Sequence, residues 1–218
     1  MDSLLTKEEL RVVGSLIEKE LSTPDYYPMT LNALTNACNQ LTNRDPVVTY
    51  DEKIILAALD SLKQKKLARV IIGSESRVPK YEETLGQYFG LAVQEMAILC
   101  VLILRGEQTA GELRARTNRL YEFANIEEVE LTLESLIDRD SDPLIAPLPR
   151  QPGMKETRYA HLLAGEVEPA TETSNPVQIV QTTEKSERIA VLEAKVEVLQ
   201  KEIAQLKEAF TEFKKQFD

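Results

Sequence analysis

The chain has little of the residue chemistry from which many sites are built. Its 218 residues include one histidine, His161, and two cysteines, Cys38 and Cys100. No zinc framework and no disulfide scaffold can be assembled from that inventory. Basic charge is in deficit: the formal net charge is −10 and the pI is near 4.9. A uniformly basic, charge-driven nucleic-acid binder is excluded, and any such contact must use local patches. The longest apolar run, Met96 to Leu104, is bracketed by Glu95 and Arg105 and is too short to cross a bilayer. Asp2, Lys7, Glu8 and Glu9 stand where a signal peptide needs an apolar core. The expectation is a soluble cytoplasmic protein with reduced thiols and no membrane contact. There is no Gly-rich phosphate loop and no G-x-S-x-G elbow. The paired acids sit at helix caps or on solvated faces, so the chain reads as a non-enzyme without cofactor or metal.

What is present is ordinary globular composition, 43% apolar and 28% charged, which excludes wholesale disorder. Residues 1–83, 84–163 and 164–218 carry net charges of −2, −4 and −4, so no segment is basic. Thr6-Lys-Glu-Glu9 is a capping box opening a helix with Leu10, Val13, Leu16, Ile17 and Leu21 on one stripe. Pro24 and Pro28 end it. Thr30 to Gln40 is a second helix, and Thr49-Tyr-Asp-Glu52 opens a third with Ile54, Ile55, Ala58, Leu59 and Leu62 inward. Ala68–Ile72 and Arg77–Tyr81 are β-like runs of a hairpin. Residues 84–163 repeat the plan: an apolar helix over Leu91–Leu104, a short helix capped by Thr109-Ala-Gly-Glu112, a longer one capped from Asn125, and β-like runs at Leu144–Leu148 and Thr157–Leu162. Leu59-Asp-Ser-Leu62 matches Leu133-Glu-Ser-Leu136, and Lys80-Tyr81 matches Arg158-Tyr159.

Helix–helix–helix–hairpin, twice, is the plan of tandem winged helices. The expected fold is therefore mainly α with small β wings: one winged-helix domain at 1–83, a second at 84–163, a linker at 164–183 and a coiled-coil helix at 184–218. The heptad places Ile189, Val196, Ile203, Phe210 and Phe217 at a, and Leu192, Leu199, Leu206 and Phe213 at d. β-branched residues at a with Leu at d favour a parallel two-stranded coil, hence a homodimer. The alternative is docking of these phenylalanines on a domain or another protein.

The run from Thr23 to Val47, Thr-Pro-Asp-Tyr-Tyr-Pro-Met-Thr-Leu-Asn-Ala-Leu-Thr-Asn-Ala-Cys-Asn-Gln-Leu-Thr-Asn-Arg-Asp-Pro-Val, resembles the signature of the YceH-like family of bacterial proteins (UPF0502, formerly DUF480). The resemblance covers roughly residues 5–163. It implies a tandem winged-helix fold, often with a C-terminal coiled-coil-like helix. It brings no established activity and no catalytic residues.

The candidate contacts each have a structural alternative. Asn32, Asn36, Asn39 and Asn43 line one helix face and its exit. They either meet a partner, with Arg44 as a phosphate or carboxylate fork, or satisfy the backbone of the Leu41–Tyr50 connection. Arg114, Arg116 and Arg119 form the best basic cluster, and Arg69, Arg77, Lys80, Arg150, Lys155 and Arg158 lie in the wings. These either hold nucleic-acid phosphates or make surface ion pairs worth little. The third helices start with Asp51, Glu52 and Lys53 in one copy and Glu127, Glu128 and Glu130 in the other, which is unfavourable against DNA phosphates. Lys63, Lys65 and Lys66 suit a helix C-terminus. Tyr26 and Tyr27 read as a loop seal, and His161, Cys38 and Cys100 as structural residues. Two functions follow. One is DNA binding and transcriptional regulation by a homodimer of tandem winged helices, docked on double-stranded DNA. The other is a protein-interaction scaffold that binds no nucleic acid. The fold favours the first and the third-helix charge favours the second.

Overall fold

A computed structural model describes residues 4–72, 78–139, 142–150 and 156–165. Among them are seven α-helices and two three-stranded antiparallel sheets. In order these are α1 (Lys7–Ser22), β1 (Met29–Thr30), α2 (Leu31–Cys38), α3 (Glu52–Gln64), β2 (Ala68–Ile71), β3 (Lys80–Glu83), α4 (Leu85–Phe89), α5 (Val93–Arg105), β4 (Gln108–Thr109), α6 (Ala110–Thr117), α7 (Ile126–Ile137), β5 (Ile145–Pro147) and β6 (Arg158–His161). The element order of the first half recurs after α4. Each sheet places its last strand centrally: β1-β3-β2, with Tyr81 opposite both Met29 and Val70, and β4-β6-β5, with Tyr159 opposite Gln108 and Pro147.

The caps explain the helix starts. The Thr6 hydroxyl accepts from the Glu9 N–H while the Glu9 carboxylate accepts from the Thr6 N–H, and Thr109 with Glu112 repeats the arrangement. Two starts differ from the sequence expectation. α3 is capped by Asp51, whose carboxylate accepts from the Ile54 N–H at 2.9 Å, and not by a box from Thr49; the nearer, charged acceptor wins. The segment before the apolar helix is a separate short helix, α4, which ends where Gly90 takes the left-handed conformation at φ 64°. The third strands, β1 and β4, are two residues each, too short to carry an alternating pattern. Residues 73–77 and 151–155, the expected linker at 164–183 beyond Gly165 and the expected coil at 184–218 lie outside the described residues, and with them Arg77, Lys155 and every heptad residue.

The two copies share one core. α1 and α5 cross at Gly14, where an added Cβ would lie 2.7 Å from Ile103 Cγ2 and 2.9 Å from Leu104 Cδ2. The Cys100 thiol donates to the Gly14 carbonyl at 3.5 Å. Around this crossing Leu16, Ile17, Leu34, Leu59, Ile98, Leu99, Leu102 and Leu113 are fully buried. α5 is apolar almost all round because it serves both copies, as a helix enclosed on every side requires. The Leu5 N–H donates to the Leu163 carbonyl at 2.8 Å and the Asp45 N–H to the Leu104 carbonyl at 2.9 Å, tying the copies together through backbone.

Candidate functional site

The irregular stretch from Leu41 to Tyr50 is where the sequence placed an asparagine–arginine contact. Arg44, expected to be a surface fork, is instead buried, with no side-chain exposure. Its guanidinium donates to Glu18 at 2.6 and 3.1 Å, to the carbonyls of Ala37 and Asn43 at 2.9 Å, and to Gln40 Oε1 at 3.3 Å. A second arginine, Arg11, reaches in from α1 and donates to the carbonyls of Cys38 and Pro46. Asn39 completes the loop: its amide donates to the Tyr50 carbonyl and accepts from the Tyr50 N–H, both at 2.7 Å. Irregular backbone must find partners when it is covered, and these three side chains supply them. Of the asparagine row, Asn39 has this structural role, Asn36 donates to exposed Asn32 at 2.9 Å, and Asn43 sits at φ 58° with its side-chain oxygen accepting from Arg105 at 2.8 Å. Burial works to raise the Glu18 pKa, but the bonds and charge of Arg44, with Lys19, hold it below its ordinary value.

The arginines of α6 do not act as one cluster. Residues two apart project to different sides of a helix. Arg114 donates to the Ala124 carbonyl at 2.9 Å, on the α7 side. Arg116 and Arg119 turn the other way, into a cleft of about 320 Å³ between the copies, where Lys19, Asn43 and Arg105 join them. Arg158, still partly exposed, donates to Glu112 at 3.4 Å and to the Glu107 carbonyl at 2.6 Å. Lys80 is exposed on β3 and Arg150 is exposed beside β5, while Arg69 is paired with Glu82.

The third helices present little cation. On α7, Glu127, Glu130, Glu134 and Leu131 are exposed, Leu131 by 66%. Glu128 turns back: it accepts from the Tyr121 hydroxyl at 2.7 Å and the Ala124 N–H at 2.8 Å, bonds that lower its pKa. On α3, Glu52, Lys53, Ile54, Leu56 and Asp60 are exposed. Lys63 pairs with Asp60 at 2.7 Å, and Lys65 donates to buried Glu9 at 2.8 Å.

The remaining candidates divide. Cys38 and Cys100 are buried free thiols, and burial pushes Cys38 up to about 11. His161 is largely buried, which lowers it to about 4. Tyr27 accepts the Glu83 N–H at 2.6 Å and seals its loop, but Tyr26 is 82% exposed. Glu20, missed in the sequence because it falls in a solvated-looking helix turn, is pushed up to about 7 by burial, then by the charge and hydrogen bond of Glu83 and the charge of Glu82. Among the described residues no group of three or more His, Cys, Asp or Glu could hold a metal ion, and no helix is long and apolar enough to cross a membrane.

The molecule is thus a mainly α-helical protein in which one element order recurs about a common core, with small antiparallel sheets and an arginine-lined cleft between the copies. A family model described as "Protein of unknown function, DUF480" matches residues 5–154. The UPF0502 protein of Solibacter usitatus is 48% identical over 218 residues, all of both chains. That of Geotalea uraniireducens is 49% identical over 221 residues, again all of both. That of Opitutus terrae is 47% identical over 194 residues, 87% of this chain and 83% of the relative. The chain belongs to the UPF0502 (DUF480) family.

Proposed function

We propose that each copy is a winged helix and that the pair works as a protein-docking module rather than as a reader of DNA sequence. The observation that carries this reading is the α7 face: three exposed carboxylates, Glu127, Glu130 and Glu134, surround exposed Leu131. A winged helix that reads DNA inserts this helix in the major groove. There each carboxylate would meet phosphates at a cost of about 0.7 kcal/mol at roughly 6 Å even in bulk water. An apolar anchor in an acidic ring is instead the layout of a protein contact, with a central buried residue and a charged rim. The partner's chemistry follows: an apolar socket with lysines or arginines around it. The heptad at 184–218 makes the module a homodimer in this reading, through Ile189 to Phe217.

One observation favours the alternative of a DNA-binding regulator. Lys80 and Arg150 are exposed where the wings begin, and Arg114 is exposed beside the N-terminus of α7, places from which a wing and a helix can touch phosphate. The two readings separate in one experiment. The tagged chain is used to recover bound protein and bound DNA from the same lysate, beside Leu131→Arg and Lys80→Ala/Arg114→Ala/Arg150→Ala variants. A stoichiometric protein that is lost with Leu131→Arg, retained by the triple variant and released by salt supports docking. Enriched DNA that is lost with the triple variant supports regulation and overturns the docking reading.

A further inference from the structure

The cleft between the copies has features that neither protein docking on α7 nor DNA contact by the wings uses. Four cations line it, Lys19, Arg105, Arg116 and Arg119, against one carboxylate, Glu18. That carboxylate is held at both oxygens by buried Arg44 and also pairs with Lys19 at 3.3 Å, which leaves the three arginines as the cleft's uncompensated charge. Among the described residues Arg116 pairs only with Glu112, at 3.5 Å, and Glu112 also serves Arg158 at 3.1 Å. Arg119 is exposed and has no ion pair or hydrogen bond among the described residues. Arg105 is partly buried; burial first, and then the Arg116 charge, lower its pKa, a repulsion that an anion between them relieves. In a chain of net charge −10, this gathering of unspent positive charge in a concave site calls for a compensating group. Val101, Leu104 and Leu120 supply an apolar part of an otherwise polar lining.

We propose that this cleft binds a small organic phosphate. The guanidiniums of Arg116 and Arg119 take the phosphate oxygens, since arginine forks match oxyanions, and the organic body meets the remaining lining, the polar groups and Leu120. A volume of about 320 Å³ lies at the lower end of small-molecule sites, roughly 300–1,000 Å³, and exceeds what a bare phosphate fills. Both copies contribute: Lys19 comes from α1 and Arg105, Arg116 and Arg119 from α5, α6 and the turn after it. The ligand therefore bridges the copies. The site does not depend on which partner the third helices meet.

The test is isothermal titration of the full chain with adenosine monophosphate, glucose 6-phosphate and inorganic phosphate, each at matched ionic strength. The expected result is saturable binding of at least one organic phosphate with a Kd below about 1 mM. Arg116→Gln/Arg119→Gln weakens it at least about tenfold, as loss of charge-assisted hydrogen bonds requires. Arg114→Gln, on the other side of α6, leaves it unchanged, and inorganic phosphate binds at least about tenfold more weakly. Arg119→Gln alone, at an exposed and unpaired position, guards against a folding defect in the double variant, and circular dichroism checks both. Three results overturn the proposal: no saturable binding of any of the three probes, binding retained in the double variant, or binding of inorganic phosphate as tight as that of the organic phosphates.

Discussion

Arg44 is the residue whose removal says most about how the molecule holds its irregular loop. Arg44→Met keeps the length of the side chain and deletes the guanidinium. Glu18, whose side chain is 13% exposed, is left nearly buried without its main partner, and the carbonyls of Ala37 and Asn43 lose donors. Breaking one side of a buried ion pair costs about 3–5 kcal/mol, a large share of the roughly 5–15 kcal/mol that holds a typical domain. At about 2–4 °C per kcal/mol for a chain of this size, the melting temperature should fall by roughly 6–20 °C. The pH dependence should also weaken. In the parent protein the Glu18 carboxyl is held below its ordinary value, so its contribution is complete above about pH 4.5 and is lost as pH falls through the depressed folded value. In Arg44→Met the burial that raises the Glu18 pKa is opposed only by Lys19, at 3.3 Å, so the variant should lose less stability on acidification than the parent. Glu18→Met in the Arg44→Met background removes the stranded charge and should recover about half the loss, the rest being the two orphaned carbonyls, about 1–3 kcal/mol. Urea unfolding followed by far-UV circular dichroism at pH 5 and pH 8 measures all of this. A cost under about 1 kcal/mol, or no recovery in the double variant, refutes the assignment of Arg44 as an internal strut.

Three further outcomes test the packing and titration arguments. Gly14→Ala gains up to about 1 kcal/mol of helix propensity but drives a methyl to 2.7 Å from Ile103 Cγ2; overpacking costs about 1–3 kcal/mol, so the variant should be less stable by urea unfolding, and a gain would show that α1 and α5 separate easily. Glu20 is pushed up to about 7, so the protein should lose stability as pH rises from about 4.5 to about 7; Glu20→Gln should remove that slope, worth on the order of 1 kcal/mol for a half-exposed carboxyl after solvent screening, with no change at pH 4. Buried Cys38 and Cys100 should ignore a thiol reagent such as dithionitrobenzoate in the native protein and both react in urea; reaction of either thiol in the native protein at pH 8 would contradict the burial described.

Much of the fold can be read from periodicity and caps. Thr6, Thr109 and Asn125 announce their helices because a side-chain oxygen satisfies N–H groups that the helix leaves open. The apolar stripes of α1, α3 and α7 name most of the buried residues, though Ile54, expected inward, is exposed at the start of α3, and the matched Leu-x-Ser-Leu pairs reveal the recurrence. What the pattern hides is charge turned inward. Arg11 and Arg44 look like surface residues because arginine usually is one, and only the three-dimensional loop shows the carbonyls they serve. Glu20 is hidden for the same reason, since its partners Glu82 and Glu83 arrive from a strand some sixty residues later. The splitting of the α6 arginines was legible: a spacing of two cannot put Arg114 and Arg116 on one helix face. That the second of them meets Lys19 and Arg105 was not legible, because it depends on how the copies pack.

The central claim, that the α7 face docks protein and repels DNA, is tested most directly by fluorescence anisotropy of a labelled duplex of mixed sequence, and of sheared genomic fragments, at about 0.15 M salt, where charges beyond roughly 8 Å are screened. The chain is compared with Glu127→Lys/Glu130→Lys/Glu134→Lys. The parent chain should show no saturable binding and the variant should gain salt-dependent binding, because the reversal supplies the cations a groove-binding helix needs. Saturable, sequence-selective binding by the parent chain, undiminished or weakened by the reversal, would contradict it and return the molecule to the class of DNA-reading regulators.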